Sequence, residues 1–243
     1  MISFVVLVLI GIFIFYYAVK ATGHDTEIIL GQKREVKKIG ERIQEVLDTE
    51  KTEKKTQRVH RNIITEANKL VKSNRFKQAE KKYIDIIKDD HKNVKAYQGL
   101  GSLYLEQGEY EGAAEALSKV IEFEPTNDAA LTSMGMALMQ LKRYDEALTA
   151  YEHSVALDTH VPHRYINLAL AAEKAGDLKR QVSALGHAVD LEPTNMGYLH
   201  ALANAAIEID NKSEAKKALE KIVEIEPANL EAHRKLARLD QKE

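Results

Sequence analysis

Residues 94–127 read VKAYQGLGSLYLEQGEYEGAAEALSKVIEFEPTN, and residues 128–161 read DAALTSMGMALMQLKRYDEALTAYEHSVALDTHV. Laid one over the other, the two stretches place Gly101 on Gly135, Ala113 on Ala147, Leu117 on Tyr151 and Gly108 on Lys142. Within the first, Tyr97, Gly101 and Tyr104 fall at i, i+4 and i+7, one face of a helix. After Gly108, Ala113, Leu117 and Val120 repeat that spacing on a second helix. Small residues at Gly101 and Ala113 let the two backbones approach, where larger side chains would hold them apart. The spacing predicts a pair of antiparallel helices joined by a tight turn.

The 34-residue period continues in both directions. Small residues recur at Ala67, Gly101, Gly135, Ala169, Ala203 and Ala237, and again at Ala79, Ala113, Ala147 and Ala215, with Gln181 the exception. Tyr83, Leu117, Tyr151, Leu185 and Leu219 form an aromatic or Leu column; Leu100, Met134, Leu168, Leu202 and Leu236 form an apolar one, interrupted by Glu66 in the first copy. Asn74, Gly108, Lys142, Gly176 and Asp210 mark the turn inside each pair, and all but Lys142 suit a left-handed backbone. Asn93, Asn127, Asn195 and Asn229 are placed to cap the following helix, and Pro162 replaces the cap at the remaining junction as a first helical residue. Pro125, Pro193 and Pro227 close three copies, while His91 and Thr159 stand at the equivalent places in the others.

These columns on a helix-turn-helix period resemble the tetratricopeptide repeat family. The resemblance covers about three quarters of the chain and predicts an all-α fold, a right-handed α-solenoid of about five helix pairs over residues 59–243. The copies fall at about 60–93, 94–127, 128–161, 162–195 and 196–229, with 230–243 a capping helix. It also implies that the first helix of each pair lines a groove that binds a peptide or helix of another protein. First-helix residues outside the packing columns are then the candidate contacts. One column is Ile64, Gln98, Thr132, Ile166 and His200; the next is Asn68, Ser102, Met136, Leu170 and Asn204. A third, one turn on, is Val71, Leu105, Met139, Glu173 and Ile207. Some members grip a terminal carboxylate with Lys, Asn and Arg at such positions. Here Asn68 alone matches, so that clamp is not expected.

Upstream of the repeats, residues 2–19 (ISFVVLVLIGIFIFYYAV) contain no charge. Eighteen helical residues reach about 27 Å, close to the thickness of the bilayer's hydrocarbon layer. No Lys or Arg precedes them, as a cleaved signal peptide would have. The expectation for residues 1–20 is an uncleaved transmembrane anchor in contact with lipid. Lys20, Lys33, Arg34, Lys37 and Lys38 all follow it, which favours cytoplasmic repeats. The alternative topology puts the repeats outside the membrane, in envelope assembly or secretion. Residues 21–58 form a charged helical spacer in which Val36, Ile39, Ile43 and Val46 follow coiled-coil spacing, so a homodimer through this segment is open alongside a plain solvated helix. Thr49 to Arg58 has no apolar side chain and suits a linker or an extension of that helix.

Enzyme chemistry finds no foothold. The chain has no cysteine, and no phosphate loop or nucleophile elbow. His160 and His163 lie three apart beside Pro162 without a completing carboxylate. A net charge of −2 gives no global basis for nucleic-acid binding. The expectation is a membrane-tethered scaffold or adaptor that binds other proteins, with no cofactor, no metal and no catalytic residue.

Overall fold

A computed structural model of the chain describes residues 26–240 together with Phe13 and Tyr17. The expected anchor at 2–19 otherwise lies outside the described residues; Phe13 and Tyr17 are helical, with ring centroids 4.9 Å apart. Among the described residues no helix is long and apolar enough to cross a membrane. From Thr26 to Asp240 there are eleven helices and no strand. The chain divides into two compact units, 1–62 and 63–243.

Helix α1 (Thr26–Lys72) is continuous through that division, so the charged stretch from Thr49 to Arg58 is helix. Its solvated part is laced by i,i+4 contacts such as Gln44 to Asp48 and Lys37 to Glu41. Of the spacer's apolar seam, Val46 is exposed and Ile39 and Ile43 are half-buried.

In the second unit the end of α1 pairs with α2 (Phe76–Asp89). Four further pairs follow: α3 (Val94–Gln107) with α4 (Tyr110–Phe123), α5 (Asp128–Gln140) with α6 (Tyr144–Leu157), α7 (Pro162–Ala175) with α8 (Leu178–Leu191), and α9 (Met196–Glu208) with α10 (Lys212–Ile225). A single helix, α11 (Leu230–Asp240), packs on α10. Each helix packs chiefly on the one before and the one after, as expected of a stack of hairpins.

All five hairpin turns close in the same way. Asn74, Gly108, Lys142, Gly176 and Asp210 have positive φ, between 56° and 78°. The next residue's N–H donates to a carbonyl five residues back, as from Glu109 to Tyr104 at 2.8 Å and from Arg143 to Leu138 at 2.9 Å. Lys142 therefore adopts a conformation that its Cβ disfavours, because the turn geometry dominates the local preference.

Asn93, Asn127, Asn195 and Asn229 each accept the N–H three residues ahead, at 3.0–3.3 Å. Each also donates its side-chain amide to an acid three residues back: Asp90, Glu124, Glu192 and Glu226. The acids form a column of their own, completed by Asp158. At that junction the N-cap is Val161 with Pro162 as first helical residue, and Asp158 instead accepts the N–H of His160 at 2.9 Å.

The small-residue columns are where helices touch. A Cβ on Gly101 would lie 2.8 Å from Leu117 Cγ, and one on Gly135 would lie 2.5 Å from the Tyr151 ring. Gly99 serves the same end between copies, lying against Tyr83 of the preceding pair. Apolar side chains from Leu138 to Ala232 form one continuous core, with Ala67, Ala79, Tyr83, Leu100, Leu103 and Ala116 in another at the N-terminal end. Glu66, the odd residue of its column, is exposed and pairs with Lys82 at 3.0 Å. On α11 the face that inner copies fill with Leu131 or Leu199 and with Leu138 or Ala206 carries His233 and Asp240, which leaves that side polar.

Candidate functional site

The three candidate columns differ in exposure. Asn68, Ser102, Met136, Leu170 and Asn204 are exposed in every copy. Ile64, Gln98, Thr132, Ile166 and His200 are half-buried. In the third column Leu105 and Met139 are half-buried, whereas Glu173 and Ile207 are exposed. Met139 and Ile166 pack against the main core, so they support the face rather than form its outer surface. The exposed apolar ridge is Met136, Leu170 and Ile207, at 52%, 47% and 37%.

Polar groups bound this ridge on both sides. Toward the first copy, a cavity of about 640 Å³ opens between α1, α2 and α3, lined by Ile64, Asn68, Gln98, Ser102 and the Tyr83 ring. Tyr83 is held against Gly99, and its hydroxyl donates to Asn68 Oδ1, which leaves the Asn68 amide hydrogens toward the opening. Burial pushes the Tyr83 hydroxyl up from its ordinary range, so it is a donor at neutral pH. Behind the same wall Tyr104 donates to Glu80 at 2.8 Å; burial first, then that carboxylate, push its hydroxyl up to about 12. At the other end Asn204 accepts from Lys235 of α11 at 2.7 Å. Glu173 sits between, paired with Lys174 at 2.9 Å.

Beneath the ridge lies a polar cluster of which only Thr132 belongs to the three candidate columns. Ser154, 1% exposed, donates to Asp128 Oδ1 at 2.6 Å. The Thr132 hydroxyl is 3.4 Å from that of Ser154. Arg164 donates to Asp128 Oδ2 at 2.9 Å and to the Ser154 carbonyl at 2.8 Å, which joins α5, α6 and α7. A signal for it exists in the period. Ser154 interrupts the buried column Ile86, Val120, Ala188, Ile222, and Arg164 is the one charged residue in the column Asn62, Ala96, Ala130, Tyr198, Ala232. A polar residue in a buried column and a lone charge in another, both in the same junction, point to each other.

Chemically the face offers amides, hydroxyls and apolar contacts, a surface suited to holding a polypeptide. His160 lies 3.4 Å from Asp158 on an exposed turn. Among the described residues no group of three or more His, Cys, Asp or Glu is arranged to hold a metal.

Comparison with known proteins agrees with this architecture. Models of the family described as Tetratricopeptide repeat match residues 64–130, 104–172, 162–195 and 197–229. The Hsp70-Hsp90 organizing protein 1 of Glycine max is 30% identical over 91 residues, 37% of this chain and 16% of that protein. The chain matches less than half the length of such curated relatives. Among solved structures, MamA superposes with a TM-score of 0.62 at 23% identity, covering 69% of this chain and 92% of that one. YrrB, described as a TPR protein with an unusual peptide-binding site, superposes at 0.59 and 20% identity over 71% and 89%.

Proposed function

This chain belongs to the tetratricopeptide repeat family, whose members mediate contacts between proteins, and on that premise we propose that it is a membrane-tethered adaptor gripping a partner polypeptide along its first helices. The observation that supports this reading most is the one column, Asn68 to Asn204, that faces solvent in every copy and turns apolar at Met136 and Leu170. An apolar ridge bounded by hydrogen-bonding groups suits a segment with apolar anchors and a polar surround. The peptide-binding description attached to YrrB is consistent with such a use.

Replacing Met136 and Leu170 by Glu adds two charges to the exposed ridge without entering the core. Partner capture from mild-detergent extracts is expected to fall at least tenfold, with an unchanged helical signal and melting temperature. Undiminished capture by the folded double variant rules out the ridge.

Tethering rests on the uncharged segment 2–19, and the repeats belong in the cytoplasm by the Lys and Arg that follow it. Confinement to the bilayer then raises the partner's effective concentration there. A reporter active only in the cytoplasm, fused after Glu243, is expected to be active. A silent, correctly expressed reporter would favour the extracytoplasmic topology and a role in envelope assembly or secretion.

A further inference from the structure

The second helices carry a charge pattern that the binding face does not use. On α2 the outward positions are Lys77, Lys81, Asp85 and Lys88, all exposed. One period later, on α4, the same positions hold Glu111, Glu115, Lys119 and Glu122, also all exposed. Every sign is inverted. Spacing of i, i+4, i+8 and i+11 keeps each set within one narrow stripe of its helix. In α6 the pattern fades to Asp145, Thr149, His153 and Ala156.

The stripes belong to a wider imbalance concealed by the net charge of −2. Residues 51–95 contain 14 Lys and Arg against 6 Asp and Glu, whereas residues 96–160 contain 3 against 11. Among the described residues no ion pair joins the α2 stripe to the α4 stripe; the Lys119–Glu122 contact at 2.7 Å lies within α4. Helices α2 and α4 each pack on α3, and packed helices already sit roughly 10 Å apart, so the two stripes are separated by about a screening length or more and attract each other weakly within one chain.

We propose that these stripes are the contact surface for a second copy of this chain. A twofold axis parallel to the helices, running between α2 and α4, lays α2 of one copy over α4 of the other and the reverse. Both overlays are parallel and in register. Lys77 meets Glu111, Lys81 meets Glu115, Asp85 meets Lys119 and Lys88 meets Glu122, and the symmetry supplies each meeting twice. Exposed ion pairs are individually weak, so the association has low affinity and dissolves in salt. It leaves the first-helix face open and stands whether or not that face binds a partner.

The test uses the full chain in mild detergent, by sedimentation equilibrium with the detergent density-matched. One variant carries Lys77→Glu, Lys81→Glu and Lys88→Glu; another carries Glu111→Lys, Glu115→Lys and Glu122→Lys. The wild type is expected to self-associate at about 50 mM salt and to dissociate at about 500 mM. Each variant alone, placing like charges opposite one another, associates at least tenfold more weakly. Mixed in equal amounts they associate as the wild type does, because each supplies the sign that the other lost. A mixture that stays monomeric overturns the proposal, as do variants that associate normally. A wild type that stays monomeric at low salt also overturns it; if that protein binds anionic vesicles through the α2 lysines, the stripe is a membrane contact instead.

Discussion

Gly135→Ala is expected to destabilise the repeat domain by about 2 kcal/mol, although alanine is the better helix former. The new methyl carbon would stand 2.5 Å from the Tyr151 ring, which is only 4% exposed and has no room to withdraw. The steric cost therefore exceeds the propensity gain of about 1 kcal/mol. The chain itself supplies the compensating change. The first copy does combine Ala67 with Tyr83, but there the ring lies on Gly99 of the next copy, whose counterpart beyond Tyr151 is Asn167; the fourth copy instead combines Ala169 with Leu185. Adding Tyr151→Leu to Gly135→Ala is expected to bring the melting temperature back to within a few degrees of wild type. Gly186→Ala is the control, because a Cβ there meets nothing within 4 Å; it is expected to stabilise by up to about 1 kcal/mol. Thermal unfolding followed by circular dichroism distinguishes the three, and equal destabilisation at both glycines would refute the packing argument.

Arg164→Ala has the second large effect, a loss of about 3 kcal/mol. Its side chain is only 11% exposed, and removing it takes the donor from Asp128 Oδ2 and from the Ser154 carbonyl, while the Ser154 hydroxyl keeps its bond to Asp128. Asp128 keeps 37% exposure, which lets water relieve part of that cost and keeps the loss at the low end for a broken buried pair. Asp128→Ala added to Arg164→Ala is expected to cost less than the two single losses combined, because the cation and its acceptor leave together. Strict additivity in chemical unfolding would show that the two residues do not act as a unit. The network stands at the one junction between repeats where Val161 replaces the Asn cap, so α5 and α7 depend on it for their register. Met136 and Leu170 ride on those two helices.

Much of this architecture is legible in the sequence because a period repeats each physical requirement. A left-handed residue every 34 positions, an Asn after each pair and a small residue at each crossing are readable without coordinates. Lys142 shows why the reading holds where the residue type disagrees: four copies define the turn and the fifth conforms. The candidate face was legible only as columns. Period alone does not say how deep each column lies, so Met139 and Ile166 counted equally with Met136 and Leu170 until packing separated them. The Asp128–Ser154–Arg164 cluster escaped because its members lie outside the candidate columns, and a period shows what the copies share more plainly than where one copy departs. The acids that bind the capping Asn amides were hidden by the commonness of Glu on a charged chain.

A photoreactive amino acid placed at Leu170 tests the binding face most directly, with the same group at Glu152 on the opposite, second-helix side as comparison. Irradiation in membranes is expected to join the partner to the Leu170 position and leave the Glu152 position without an adduct. Adducts from Glu152 alone would place the partner on the other side of the repeats and contradict the account.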